Sequence, residues 1–149
     1  MKLTAPSGSR KPKRPPNKND ESKLLAQIRL AIGCRLDCTF KRLNTGVFKT
    51  MDLKRTVRSA PTGTADLEGT QRRQVRAITT RNPGGFNPVT QEYDLVYGQT
   101  IIIETKVPKG GTQSQAQKNY QAAVESVGAI YILARSLQDV LDVLGPEPK

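Results

Sequence analysis

Glu104 and Lys106 stand two residues apart in Ile101-Ile102-Ile103-Glu104-Thr105-Lys106-Val107. In an extended chain such residues point to the same side, roughly 6–7 Å apart. The segment therefore places a carboxylate and an ammonium on one face of an otherwise apolar strand. Burying both costs several kcal/mol unless they are paired or face a site; an edge strand with a solvated ion pair is the alternative. A further carboxylate, Asp66, lies in Pro61-Thr62-Gly63-Thr64-Ala65-Asp66-Leu67-Glu68-Gly69, where a proline and two glycines describe a tight bend that presents it. Two carboxylates at the ends of adjacent strands bind a hard divalent cation through oxygen, and a neighbouring lysine can orient or activate a water. Other chemistries are excluded by composition. Histidine is absent, which removes a Ser-His-Asp triad, a histidine base and every histidine-containing zinc site. Cys34 and Cys38 make at most half of a four-cysteine site and read as small semi-buried side chains at a helix end and a strand start, in a reducing cytoplasm.

The 149 residues have room for one domain, and 24 Lys+Arg against 13 Asp+Glu give a net charge of +11. Such an excess on a small chain points to a polyanionic partner, most often nucleic acid. A mean hydropathy of −0.53 implies a modest core. No apolar run approaches the ~20 residues that span a bilayer, and no apolar stretch follows the first basic residues, so neither a membrane partner nor a secretory signal is expected. Residues 1–19, with Lys11, Lys13 and Arg14 among Pro, Ser and Asn, read as a disordered basic tail.

Ordered elements must then position the charges. Asn19-Asp20 can cap a helix to about Ile32 whose stripe is Leu24, Leu25, Ile28, Ala31 and Ile32, with Glu21 at its start. The alternative for Glu21 is an exposed carboxylate favoured by the helix dipole. Residues 38–43 and 47–50 around Asn44-Thr45-Gly46 predict a hairpin; residues 57–60 and 71–79 predict further strands, the latter with Val75, Ala77 and Ile78 as its apolar residues. Arg81-Asn82-Pro83-Gly84-Gly85 is a loop. After the strand 101–107, Ser114 caps a helix with a stripe of Ala116, Tyr120, Ala123, Val124 and Val127, closed by Gly128. Residues 129–134 form a buried strand, and Ser136 with Asp139 starts a last helix over 137–144. The order helix, strands, helix, strand, helix predicts a single α/β domain over residues 20–145.

Asp66 followed by Glu104-Thr105-Lys106 resembles the PD-(D/E)XK nuclease pattern, and the detail resembles its virus-type replication-repair branch, the VRR-NUC domains, in their small stand-alone, phage-like form. The matching features are Glu21 near a helix start, the Asn44-Thr45-Gly46 turn and the Gly-Thr-x-Asp-Leu-x-Gly run of residues 63–69. Glu-x-Lys follows, then Gly110-Gly111 leading to Ser114-Gln115-Ala116-Gln117, Gly128-Ala129-Ile130-Tyr131, and Ser136-Leu137-Gln138-Asp139-Val140. The resemblance covers residues 20–144. It implies a mixed central sheet flanked by helices in the order α-βββ-α-β-α, a restriction-endonuclease-like core. It also implies a Mg²⁺- or Mn²⁺-dependent DNA endonuclease acting on branched, Holliday junction-like DNA in viral replication, recombination or repair, in the cytoplasm of a bacterial host. A homodimer would suit cutting two strands, and no small-molecule substrate is implied.

One departure concerns the metal-site aspartate, which this family separates from its glutamate by a short hairpin. Asp66 and Glu104 are far apart, so residues 71–94 read as an insertion lengthening that hairpin; Asp94, ten residues before Glu104, is the competing aspartate. By the resemblance, Asp66, Glu104, the Thr105 carbonyl and Glu21 hold the metal, while Lys106 positions the attacking water. Gln117 supports Lys106 or a phosphate, or is an ordinary solvated helix residue. Asn44, Arg72, Arg73, Arg76 and Lys109, with the tail, contact the DNA backbone, which gives affinity without sequence information. The rival reading is a basic nucleic-acid-binding accessory protein without catalysis.

Overall fold

The computed structural model describes residues 18–43, 47–49, 54–81 and 89–147. Lys11, Lys13, Arg14, the Asn44-Thr45-Gly46 turn and residues 82–88 lie outside the described residues. In chain order the elements are α1 (Lys18–Gly33), β1 (Cys38–Arg42), β2 (Val47–Lys49), β3 (Thr56–Arg58), β4 (Leu67–Arg81), β5 (Val89–Thr105), α2 (Gln115–Ser126), β6 (Ile130–Ala134) and α3 (Leu137–Leu144). A four-stranded sheet has the order β1-β4-β5-β6, and β2 with β3 forms a separate two-stranded sheet. β1, β4 and β5 pair antiparallel, whereas β6 lies parallel to β5. A parallel neighbour needs a long crossover, and α2 supplies it. The protein is thus mixed α/β, with a mixed sheet and three helices among the described residues.

Antiparallel partners share a face of the sheet. Leu67, Ile101 and Ile103 accordingly lie on one side, where Leu24, Leu25, Ile28 and Ile32 of α1 and Val140 and Leu144 of α3 complete the core. The spacing of those α1 residues is the 3.6-residue stripe that a helix buries. Glu68, Ile102 and Glu104 lie on the other side, where Tyr120 and Val124 of α2 border a groove with Ile102. The C-terminal part of β5 is therefore covered on both faces, and residues 101–105 are all buried.

Three local expectations are corrected. Residues 38–43 and 47–50 do not form a hairpin with each other: β1 pairs with β4, and β2 pairs with β3. The long ladder to β4 outweighs the local turn chemistry, and Gly69 permits it, since a Cβ there would collide with the Phe40 ring and the Thr39 carbonyl. Asn19 and Asp20 do not precede α1 but lie in its first turn, where Asp20 and Glu21 complement the helix dipole. α2 is capped by Ser114 but has no buried residue; Ala123 is exposed and Val127, at its C-cap, is 82% exposed. Of the expected stripe only Ala116, Tyr120 and Val124 are half-buried, with Tyr120 and Val124 beside Ile102, a narrower stripe than the sequence predicts. α3 begins at the expected capping box of Ser136 and Asp139.

Residues 71–81 and 89–94 belong to the paired strands β4 and β5. β4 and β5 make fifteen successive pairs from Leu67–Ile103 to Arg81–Val89, and the outer part leaves Val75 and Ile78 exposed. At its base, side chains gather on the C-terminal carbonyls of α3. Gln71 Nε2 donates to Leu144 O at 2.8 Å, Arg73 Nη2 to Val143 O at 2.7 Å and Arg35 Nη1 to Gly145 O at 2.8 Å. Asp37 Oδ2 accepts from Gln71 Nε2 (2.8 Å) and Arg35 Nη2 (2.7 Å), which ties the α1–β1 loop to β4. The Arg35 guanidinium, against the opposing effect of burial, holds the Asp37 carboxyl down at about 2.

Asp37→Ala leaves the Arg35 guanidinium without its counter-charge and Gln71 with the Leu144 carbonyl alone, and should cost about 3 kcal/mol, read as a lowered denaturant midpoint. The carboxyl is depressed in the folded state, so its stabilisation is complete above the unfolded pKa of roughly 3.9. It is lost as pH falls toward about 2. Wild type should lose stability in that acid window through this group, and the difference from Asp37→Ala should shrink across it.

Candidate active site

The site is assembled where β5 ends. Glu104 is 3% exposed, and the ladder continues one residue past the strand, because Lys106 N donates to Ala134 O at 2.8 Å. With the backbone so fixed, Lys106 Nζ lies 2.6 Å from Glu104 Oε1 and 3.8 Å from Glu21 Oε1. The edge-strand alternative does not hold. β5 runs between β4 and β6, and the Lys106 side chain is 13% exposed.

Asp66 arrives from the neighbouring strand. Asp66 N donates to Ile103 O at 3.1 Å, one residue beyond the Leu67–Ile103 pair. Asp66 Oδ2 accepts from Thr105 N at 2.8 Å and from Thr105 Oγ1 at 2.5 Å. The bend before it is closed by Thr64, whose N and Oγ1 both donate to Pro61 O. Gly63 has φ 94°, and a Cβ there would strike the backbone of Ala116 in the first turn of α2. A glycine is what lets this bend seat against α2, so that one contact sets both Asp66 and the start of that helix.

Gln117 comes from the same turn of α2. Its Oε1 accepts from Ser114 N at 2.9 Å, completing a capping box, and its Nε2 donates to Glu104 Oε1. Gln117 thus reaches Glu104, on the same carboxylate oxygen that Lys106 holds, and it is half-buried, not a freely solvated helix residue. Glu21 does reach the site, but its contact is with Lys106.

Burial pushes the Glu104 carboxyl up to about 7. The hydrogen bond from Lys106 pulls it down, and the nearby charges of Asp66 and Glu21 raise it. Acid groups crowded in a dry place are relieved by a proton or by a cation. The hard oxygen donors fit a divalent cation of the Mg²⁺ type, with Asp66, Glu104 and the Thr105 carbonyl as the set able to hold it. Among the described residues no three carboxylates or thiols gather closely enough to ligate one ion, and Glu21 stands as a lysine partner in this arrangement.

The other candidates separate clearly. Asp94 is exposed opposite Arg76, ten residues up an extended strand from Glu104, which is about 33 Å at 3.3 Å per residue. It cannot share an ion with Glu104. Arg73 is also reassigned, since its guanidinium is half-buried on the α3 carbonyl of Val143. Arg76 lies 3.7 Å from Glu92 in an exposed ion pair. Arg72 and Lys109 are exposed. The sequence reading missed Arg135, whose Nη1 and Nη2 donate to Val107 O at 3.1 Å and Gly111 O at 2.7 Å. It staples the loop that follows Lys106 and carries Lys109. It also missed Tyr131, which pairs in register with Ile102 and is stacked edge-on against Tyr120. Burial, then the charge of Glu104, pushes the Tyr131 phenol up to about 12. Neither residue has a local signal, because both depend on β6 returning beside β5.

No protein-family model, curated protein or solved structure matches this chain. Among the described residues no helix is long and apolar enough to cross a membrane.

The raised Glu104 carboxyl carries a stability consequence with a definite sign. Between the unfolded value of roughly 4.3 and about 7 the folded chain holds a proton that the unfolded chain has lost. Stability should therefore fall with rising pH across this window. Thermal unfolding without divalent cations should show a Tm that declines between about pH 5 and 7.5, with a shallower decline in Glu104→Gln. An unchanged slope in the variant would assign it to another group.

Proposed function

We propose that this chain is a divalent-cation-dependent DNA nuclease centred on Asp66, Glu104 and Lys106, with branched DNA as its substrate. The observation that carries the reading is a buried carboxylate–lysine pair at the end of an interior strand, with Asp66 hydrogen-bonded to the residue between them. The mixed α/β fold, in which the main-sheet elements follow the order helix, three strands, helix, strand, helix, supports the likeness to PD-(D/E)XK nucleases that the motifs suggest. A purely DNA-binding role accounts for the charge of +11 but gives no reason to bury Glu104 and Lys106 together.

Asp66, Glu104 and the Thr105 carbonyl would hold Mg²⁺ or Mn²⁺, which when bound supplies Lewis acidity toward a phosphodiester and acidifies a water. The chain's own residues do the rest. Gln117 and Lys106 fix one oxygen of Glu104, and Thr105 fixes one oxygen of Asp66, so both carboxylates are set before substrate arrives. Lys106 orients the attacking water and offsets the negative charge that builds on the oxygens of the pentacoordinate phosphorus as the new P–O bond forms and the bond to the leaving sugar oxygen breaks. Lys109 and Arg72 approach the phosphate backbone, which favours recognition of DNA shape over sequence.

The test is cleavage of end-labelled duplex, flap, splayed and four-way DNA with Mg²⁺ or Mn²⁺. Wild type should cut a branched substrate. Glu104→Gln, Lys106→Met and Asp66→Asn should each lose at least about 100-fold in rate, roughly 2.7 kcal/mol of barrier, while still binding DNA. Asp94→Asn should stay within about tenfold of wild type. Wild-type cleavage by Glu104→Gln, or no cleavage of any substrate by wild type, would sink the nuclease reading.

A further inference from the structure

The sheet face that carries Glu104 continues outward as an open trough. Cross-strand register sets three rows on it: Lys41, Glu68 and Ile102, then Thr39, Thr70 and Thr100, then Arg72 opposite Gly98. The three threonines and Arg72 are exposed, and Lys41 lies 3.6 Å from Glu68, the one acid in these rows. α2 stands along one side as a wall. Its residues Tyr120 and Val124, with Val127 at the C-cap, border a groove of about 370 Å³ above Ile102, Thr100 and Gly98, a volume within the range of clefts that hold small ligands. Tyr120 is set edge-on against Tyr131, ring centroids 6.5 Å apart, and Val127 is 82% exposed. From Glu104 back to Gly98 is six residues of strand, about 20 Å at 3.3 Å per residue. Beyond that row β4 and β5 go on alone as a two-stranded ribbon.

We propose that this trough holds a single-stranded stretch of DNA leading away from the scissile phosphate at Glu104, with its bases against Tyr120 and its backbone over the threonine row toward Arg72. The two unlike sides select that occupant. An aromatic and apolar wall suits the π-faces of unstacked bases, whatever their sequence. A floor of hydroxyls with Lys41 and Arg72 suits phosphate and sugar oxygens, and the chain as a whole carries a net charge of +11. A duplex keeps its bases stacked inside and would bring only its backbone to the apolar wall. A lipid chain would strip water from three hydroxyls and Lys41 and replace none of it. An acidic peptide would gain from the cations but nothing from Tyr120 and Val127. The inference rests on the nuclease reading for what lies at the Glu104 end, and it narrows the substrate to a branched DNA whose cut strand is unpaired beside the cut.

Fluorescence anisotropy with the full-length chain in EDTA tests the trough without turnover. A labelled thymidine oligonucleotide of about 12 nucleotides should bind more tightly than a duplex of the same length, the reverse of the order that counterion release alone gives. Tyr120→Ala should weaken strand binding about tenfold, and Tyr120→Phe should keep it. Val127→Glu should weaken it at least about threefold, whereas Leu30→Glu, the same charge change at an exposed position of α1, should stay within about twofold. 4-Thiothymidine in the strand should photocrosslink to wild type at Tyr120 or its neighbours on α2, a readout that survives if a variant misfolds. Tighter binding of duplex, equal weakening by the two glutamate variants, or crosslinks that avoid α2 would overturn the proposal. Crosslinks on α2 in a chain that cuts no DNA would uphold the trough and end the nuclease reading. Metal-dependent cleavage of branched DNA with crosslinks confined to residues 1–19 would overturn the trough and leave that reading standing.

Discussion

A carboxylate buried at the end of an interior strand must be given partners, and much of this molecule is arranged to give Glu104 its own. Left alone it would take a proton; burial already pushes its carboxyl up to about 7. Lys106, Gln117 and the neighbouring Asp66 come from three different elements to the same place. The hydrophobic packing of Ile101 and Ile103 against α1 and α3 holds the strand on which all of this depends. Core packing and site chemistry are thus coupled through adjacent residues of β5. A shift of one residue in the β4–β5 register would turn Glu104 into the core and Ile103 into the site.

The register is secured away from the site as well as in it. Gln71, Arg73 and Arg35 hold the C-terminal carbonyls of α3, and Asp37 holds Gln71 and Arg35. Gly69 admits β1 on one side of β4, and Gly63 admits the bend before Asp66 against α2. Two glycines that bracket one carboxylate in sequence do separate steric work, one for the sheet and one for the helix. Arg135 then closes the far side by stapling the loop after Lys106.

The site was more legible in sequence than the strand pairing. Glu104 and Lys106 show themselves because two charges interrupt a β-branched run, and the period of two puts them on one face whatever the tertiary structure. Asp66 shows itself through its glycines. The capping boxes at Ser114 and Ser136 are local and were readable for the same reason. The partner of β1 was not, because Asn44-Thr45-Gly46 supplies a local turn signal while the competing ladder to β4 is nonlocal. Arg73 looked like a phosphate contact because its acceptor, Val143 O, lies 70 residues away. Gln117 was placed correctly at the helix start, but its partner depended on how α2 lies over β5.

The central claim is that Asp66 and Glu104 share a cation-binding spot beside Lys106. Paramagnetic broadening of amide resonances during a Mn²⁺ titration tests it without relying on turnover. The account expects the signals of Asp66, Glu104, Thr105 and Lys106 to broaden first, and expects Glu104→Gln to weaken that effect. Broadening that begins instead at the exposed acids Glu92 and Asp94 on the ribbon, or that is unchanged in Glu104→Gln, would contradict it.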